Sequence, residues 1–190
     1  MNIEQGFARP QYGLSLLEMI IVLAIVSILL SAVGPSATAI VDKSRITAQV
    51  NLLSAMLRYT RAQAIDEHQS IALCPSADLS QCDINDWSLP KMVFDDKNFN
   101  QYRDEEEALI YVTEKIPTGV ILQGPKKLIR FYEDGTIGSP ATLRVCPTRE
   151  NATLNRALII SLQGRVRVST DTNNDDIHEL GSGDAVTCIS

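Results

Sequence analysis

Residues 14–33 read LSLLEMIIVLAIVSILLSAV, and this stretch decides how the first part of the chain is organised. Only Ser15, Glu18, Ser27 and Ser31 fall outside the aliphatic, alanine and methionine set. As a helix that rises about 1.5 Å per residue, the stretch covers about 30 Å, which is the thickness of a hydrocarbon core. The composition therefore predicts a membrane-spanning helix.

A cleaved secretory signal is the competing interpretation of this stretch. Arg9 precedes the apolar run, and Ala37-Thr38-Ala39 resembles a small-residue cleavage site. The apolar region of a secretory signal is about 7 to 15 residues long, so this run is longer than expected. It also carries a carboxylate near its start, which favours the membrane-spanning interpretation.

Glu18 is the unusual residue of the run. An acidic side chain inside a membrane costs about 2.5 to 3.5 kcal/mol on insertion scales and marks a functional pairing. The chain offers a nearby positive partner only if it is cut after Gly13, because Leu14 would then carry a free amine. This pattern points to a processed N-terminus.

The segment resembles a type IV prepilin signal: a short polar leader ends at Gly13, LSLLE follows over residues 14–18, and Pro35 lies where pilins commonly bend. The resemblance implies that a prepilin peptidase cuts between Gly13 and Leu14 and methylates the new amine. It also implies that Glu18 pairs with the amine of a neighbouring subunit. Leu14 and Ser15 depart from the more usual phenylalanine or methionine and threonine.

Beyond Gly34 and Pro35, where a break is expected, apolar residues recur at the spacing of one helical face. This spacing predicts that the helix continues to about Asp66. The predicted organisation is a leader over 1–13, the membrane half of the helix over 14–34, its amphipathic half over 35–67, and a β-rich head over 68–190. The residues of the apolar face are Ile46, Val50, Leu53 and Leu57, with Met56 beside them.

After residue 66 the pattern changes to short strand-like runs separated by turn residues. Asp134-Gly135 predicts a tight turn, because the glycine tolerates a positive φ. The fold class is therefore α+β, with a long N-terminal helix packed on a small antiparallel β-sheet head. The strand candidates are 70–74, 91–94, 108–113, 119–122, 127–132, 143–146, 156–161 and 165–169.

Four cysteines, Cys74, Cys82, Cys146 and Cys188, permit three pairings and show no zinc-type spacing. Disulfides are favoured if the head faces an oxidising periplasm. In that case a bond between Cys74 and Cys82 would close a small loop, and a bond between Cys146 and Cys188 would hold the C-terminal end. Four reduced cysteines are the alternative.

The head resembles the GspH/FimT family of minor pilins and pseudopilins, most closely its FimT and FimU members. The resemblance rests on residues 71–76 (IALCPS), Cys82, Trp87, residues 156–161 (RALIIS) and residues 164–167 (GRVR). It implies that the partners are other pilins or pseudopilins. FimT-like proteins are associated with DNA binding through the last motif, so the resemblance also implies that Arg165 and Arg167 contact DNA.

Charge arithmetic gives this suggestion a physical basis. The chain has a net charge of -6, but residues 126–167 hold eight basic and three acidic groups. Arg165 and Arg167, with Lys126 and Lys127, are therefore candidate phosphate contacts. Since no aromatic residue lies between the arginines, we expect weak, salt-sensitive binding without sequence preference. The alternatives are a solvated strand face or salt bridges to the acidic tail.

The sequence predicts neither a metal, nor a cofactor, nor an enzyme. Asp171 to Asp175 imitate the start of a calcium loop, but Asp176 replaces the required glycine and Ser182 replaces the bidentate glutamate. The nucleophile and phosphate-loop motifs of common enzymes are not visible.

Three roles remain open for a single-pass subunit of the bacterial inner membrane with a periplasmic head. The first is to prime or cap a pilus, the second is to capture extracellular DNA for transformation, and the third is to act as the H-type pseudopilin of type II secretion.

Overall fold

The computed structural model describes Gly13 and residues 15–188, without the side chains of residues 31–37. Leu14 and the leader before Gly13 lie outside the described residues, as do the side chains of residues 31–33 in the predicted membrane span. The chain forms two compact units, one up to Ile40 and one from Val41 onward. In the described part of the chain, we find no helix with both the length and the apolar character needed to cross a membrane.

Helix α1 extends over Leu16–Asp66 and ends where the sequence periodicity predicts. It passes through Gly34 and Pro35 without interruption, so the expected break does not end the helix. A proline in a helix removes one backbone hydrogen-bond donor, but here the turns on both sides of Pro35 remain helical. In the second unit, the predicted apolar face of α1 is buried, with Ile46, Val50, Leu53 and Leu57 at most 6% exposed.

Within residues 15–188, eight strands follow α1, and the bounds of each lie within two residues of those predicted from the sequence. The structure sorts them into two four-stranded antiparallel sheets, in place of the one small sheet expected. Sheet 1 has the order β3-β2-β1-β5, and sheet 2 has the order β4-β6-β7-β8. The strands are β1 (Ile71–Pro75), β2 (Lys91–Asp95), β3 (Leu109–Val112), β4 (Val120–Gln123), β5 (Ile129–Phe131), β6 (Ala141–Pro147), β7 (Arg156–Ile160) and β8 (Val166–Val168).

The turn at Asp134-Gly135 carries the chain from sheet 1 to sheet 2. Gly135 has a φ of 74°, and its N–H donates to the carbonyl of Tyr132 at 2.8 Å. The turn closes with a bridge between Phe131 and Ile137. The sequence-based prediction of a tight turn here is confirmed.

The main core lies between the second half of α1 and the inner faces of both sheets, where Leu57, Leu73, Phe131 and Leu158 pack in one cluster. A smaller cluster on the other face of sheet 1 includes Phe94 and Met92. Burial of these side chains provides the main driving force for folding of the head.

Two disulfides connect the cysteines in the pairing that the sequence analysis favours for a periplasmic head. One joins Cys74 and Cys82 with a Cα–Cα distance of 5.6 Å, beside the smaller cluster. The other joins Cys146 on β6 to Cys188 over 6.2 Å. The second bond attaches the C-terminal segment to sheet 2.

Candidate functional site

The first half of α1 presents apolar side chains in every direction. Every leucine, isoleucine, valine and methionine from 16 to 30 is at least 43% exposed, up to 79% for Leu16. Contiguous exposed apolar patches beyond a few hundred Å² are rare on soluble monomers and mark protein or membrane contacts. The isolated chain therefore exposes an apolar surface of the kind that marks such contacts.

Ser15 and Glu18 stand at the start of this helix in the S-x-x-E spacing of a capping box. The Glu18 N–H donates to the Ser15 hydroxyl at 3.2 Å. This contact satisfies one of the helix's free backbone donors. The S-x-x-E spacing of Ser15 and Glu18 is a sequence signal for this cap, but the cap was not among the sequence-based predictions.

The Glu18 side chain lies on the exposed surface of the helix. Among residues 15–188 no ion pair of Glu18 is present. The positive end of the helix dipole lies in the same turn and favours a carboxylate there by about 0.3 to 1 kcal/mol. The carboxylate is thus available to a charged group from another molecule.

A second apolar surface lies on the head, where α1 meets the edge strand β3. Leu52, Met56, Tyr59 and Tyr111 line an open groove of about 230 Å³. The rings of Tyr59 and Tyr111 meet edge to face with centroids 6.2 Å apart. Tyr59 is 46% exposed, so the groove is accessible in the isolated chain.

The predicted basic residues of the GRVR segment lie at the other edge of the head. Arg167 belongs to β8 and pairs with Ile159, and Arg165 directly precedes the same strand. Both side chains are exposed, and neither has a salt-bridge partner in the described part of the chain. The alternative of salt bridges to the acidic tail is therefore not seen, although Gly181 lies beside the Arg167 guanidinium.

Sheet 2 adds Arg144 to this surface. Arg144 pairs with Ala157, and Ile159, two residues further along β7, pairs with Arg167. Since alternate residues of a strand share a face, Arg144 and Arg167 lie on the same outer face. Strands β6 and β8 lie on either side of β7, two spacings of about 4.8 Å apart, and the two arginines are offset by two residues along the strands. Their Cα atoms are therefore about 12 Å apart. We call Arg144, Arg165 and Arg167 the basic face of sheet 2.

The two neighbouring lysines separate in the structure. Lys126 lines a cavity of about 530 Å³ that Arg144 and Asp86 also line. Hydrogen bonds from Ser88 hold the pKa of Asp86 below its usual range, so Asp86 remains an anion there. Lys127 instead lines a different crevice, together with Arg130 and Ser139. Lys126 thus extends the basic face, and Lys127 does not.

An acidic cluster forms where the sequence suggested an incomplete calcium loop. Carboxylate oxygens of Asp171, Asp175 and Glu179 lie within 4.8 Å of one another. Glu179 accepts hydrogen bonds from the backbone and hydroxyl of Thr172, both at 2.8 Å. Partial desolvation raises the pKa of Asp171, but N–H donors of its own loop lower it below the usual value. These carboxylates are therefore engaged in holding the loop.

The architecture, an N-terminal helix with an exposed apolar first half followed by an antiparallel β head, is a pilin-like fold. The chain belongs to the type II transport protein GspH family, whose model matches residues 49–164. The prokaryotic N-terminal methylation motif matches residues 8–34, which include Gly13, Leu14 and Glu18. Members of this family of minor pilins and pseudopilins assemble with other pilins or pseudopilins.

The solved structure of a minor pilin shows the same fold at low sequence identity. The type IV minor pilin FimU of Pseudomonas aeruginosa PAO1 is 16% identical, with a TM-score of 0.52 over 67% of this chain and 90% of FimU. The minor pseudopilin EpsH from the type 2 secretion system of Vibrio cholerae is 12% identical, with a TM-score of 0.48 over 65% of this chain and 95% of EpsH. No curated protein matches the sequence.

Proposed function

We propose that the chain is a non-catalytic subunit of a type IV pilus, built into the filament through the first half of α1. The observation that carries this proposal is the exposed apolar surface of residues 16–30. Neighbouring subunits with similar helices would cover this surface in the filament, and the inner membrane would cover it before assembly. The groove at Tyr59 and Tyr111 offers the head a further contact with a neighbour.

Processing at the N-terminus belongs to the same proposal. A prepilin peptidase cuts between Gly13 and Leu14 and methylates the amine of Leu14. Glu18 of one subunit then pairs with the amine of its neighbour, which removes the cost of an unpaired carboxylate in an apolar environment. The two disulfides agree with a head in the oxidising periplasm.

The alternative within the same class is the H-type pseudopilin of type II secretion. Deletion of the gene in its native host separates the two roles. We expect loss or shortening of pili with secretion intact. Intact pili together with an accumulation of secreted proteins in the periplasm would instead establish the pseudopilin role.

DNA contact is a second candidate function, and the basic face of sheet 2 favours it. Arg165 and Arg167 are exposed without anionic partners in the described chain, and Arg144 shares their face. A row of cations about 12 Å across can contact neighbouring phosphates of one duplex. The mode is electrostatic, because no aromatic side chain stands between the arginines for base stacking.

Binding of duplex DNA to the full chain in nonionic detergent tests this candidate. The double variant Arg165→Ala with Arg167→Ala should weaken binding at least tenfold and reduce the slope of log K against log salt by about 2. Arg58→Ala with Lys115→Ala removes the same charge from exposed positions away from the basic face. Equal losses in both double variants would mean that net charge, and not this face, governs binding.

A further inference from the structure

A second, separate cationic feature lies at the junction between the two sheets. A crevice of about 210 Å³ opens where β5 passes through the turn toward β6, and its polar lining comes from Gln101, Lys127, Arg130, Tyr132 and Ser139. None of the residues that line it is acidic, although the whole chain has a net charge of -6.

Arg130 is fixed in this crevice before any ligand arrives. One of its terminal nitrogens contacts the carboxylate of Asp96, which is fully buried. Its guanidinium carbon lies 4.6 Å from the centroid of the Phe99 ring. A guanidinium held by a carboxylate on one side and an aromatic ring on another keeps little rotational freedom. The Arg130 side chain would therefore lose little further conformational freedom on binding an anion.

Arg130 also retains a donor without an acceptor. Its Nε is buried, and no hydrogen-bond partner is found for it among the described residues. One carboxylate oxygen of Asp96, the ion-pair partner of Arg130, is also buried without a hydrogen-bond partner. Buried polar groups are almost always paired, so these two groups are expected to satisfy each other after a small adjustment of the ion pair. The Nε is closed to solvent and is not a donor to an anion in the crevice.

Lys127 gives the crevice its net positive charge, because Asp96 neutralises the charge of Arg130. Its ammonium contacts the hydroxyl of Ser139, and within the described residues it forms no salt bridge. Counting Lys127, Arg130 and Asp96, the crevice has a local charge of +1. Lysine and arginine together with a hydroxyl are the donor types that bind phosphate groups.

The loop that supplies Phe99 and Gln101 is held in an unfavourable backbone conformation. Phe99 has a φ of 62° and Gln101 a φ of 69°, which residues other than glycine rarely adopt. The Asp104 carboxylate accepts hydrogen bonds from the side-chain amides of Asn98 and Asn100, at 2.7 Å and 3.0 Å, and so stabilises the loop. Strained residues of this kind cluster at functional sites. Here the loop places the Phe99 ring against the Arg130 guanidinium and places Gln101 in the crevice.

We propose that this crevice, which we call the Arg130 crevice, binds a phosphate-type oxyanion. The occupant is either a free phosphate ion or the phosphate of a nucleic acid backbone, since the donors suit both. The proposal is independent of filament assembly and of the basic face of sheet 2.

The test is a ³¹P NMR titration of inorganic phosphate with the full chain in nonionic detergent, in phosphate-free buffer with chloride balancing the ionic strength. We expect saturable broadening of the phosphate signal. Lys127→Ala should weaken binding about tenfold, because it removes a charged hydrogen-bond donor to the anion. Ser139→Ala should weaken it to a smaller extent. Arg130 is left intact, because its removal would strand the buried Asp96 carboxylate.

Lys115→Ala is the matched control, since Lys115 is an exposed lysine that lines neither this crevice nor the cavity beside the basic face. It should leave phosphate affinity unchanged within about twofold. Equal losses of phosphate affinity in the two lysine variants would overturn the proposal. Broadening of the phosphate signal that does not saturate in the chloride-balanced buffer would also overturn it. A short DNA duplex that displaces phosphate from the parent, but binds less well to Lys127→Ala, would assign the occupant to nucleic acid. Failure of the duplex to compete would assign it to the free ion.

Discussion

Replacement of Lys91 by methionine should stabilise the head. Lys91 begins β2, its side chain is 0% exposed, and its ammonium has no hydrogen-bond partner in the described chain. Burial lowers the pKa of Lys91 from 10.5 to about 8, against the attraction of Asp86. Since each pKa unit is worth about 1.4 kcal/mol, keeping this ammonium charged in the folded state costs about 3 kcal/mol at neutral pH.

The sign of the pH dependence follows from the two pKa values. Between pH 8 and 10.5 the unfolded state binds more protons at Lys91 than the folded state does. The free energy of unfolding of the parent therefore rises with pH across this window and is lowest below it. The Lys91→Met variant lacks this contribution. We expect it to be about 3 kcal/mol more stable at pH 7, with the advantage shrinking as the pH approaches 10.5.

Denaturant unfolding at pH 7 and pH 10 measures this effect. Trp87 is the sole tryptophan and is buried, so its fluorescence reports unfolding of the head. Lys115→Met is the control, because Lys115 is exposed and its replacement should change stability by less than about 0.5 kcal/mol. A Lys91→Met variant that is less stable than the parent at pH 7, or whose stability shows the same rise with pH, would mean that the buried ammonium does not destabilise the head.

Three further predictions concern assembly and the head. Glu18→Gln should fold normally but enter filaments at a reduced level, measured by immunoblotting of sheared filaments, and parental incorporation would contradict its pairing role. Replacing Cys146 and Cys188 by serine should cost about 4 kcal/mol in denaturant unfolding, because the loop spans 42 residues; an unchanged midpoint would refute this. Gly164→Ala should lower thermal stability more than Gly183→Ala, since both have positive φ but only Gly164 would place a Cβ 2.0 Å from a backbone oxygen; equal losses would contradict this ranking.

Local patterns predicted the elements of this fold well. The spacing of Ile46, Val50 and Leu53 identified the buried face of α1, because a helix repeats every 3.6 residues regardless of its partners. Strand bounds were likewise readable from short apolar runs between turn residues. The two-sheet arrangement was not readable, because strand pairing is decided by contacts between distant segments. Strands β4 and β5 are consecutive in the chain, yet they belong to different sheets.

The candidate sites show the same division between local and distant information. Ser15 and Glu18 carried a readable capping signal, because their contact spans only three residues. Lys126 and Lys127 could not be separated from sequence, since their cavities depend on which distant strands pack beside each one. Lys91 gave no sequence signal either, because a lysine at the start of a strand ordinarily reaches solvent.

We propose that the apolar helix begins at a processed amine and serves as the assembly element of a filament subunit. Mass spectrometry of the N-terminal peptide, from protein extracted from the membranes of its native host, tests it most directly. We predict a peptide that begins at Leu14 with a methylated amine. A peptide that begins at Met1, or at Ile40 after secretory cleavage, would contradict the claim.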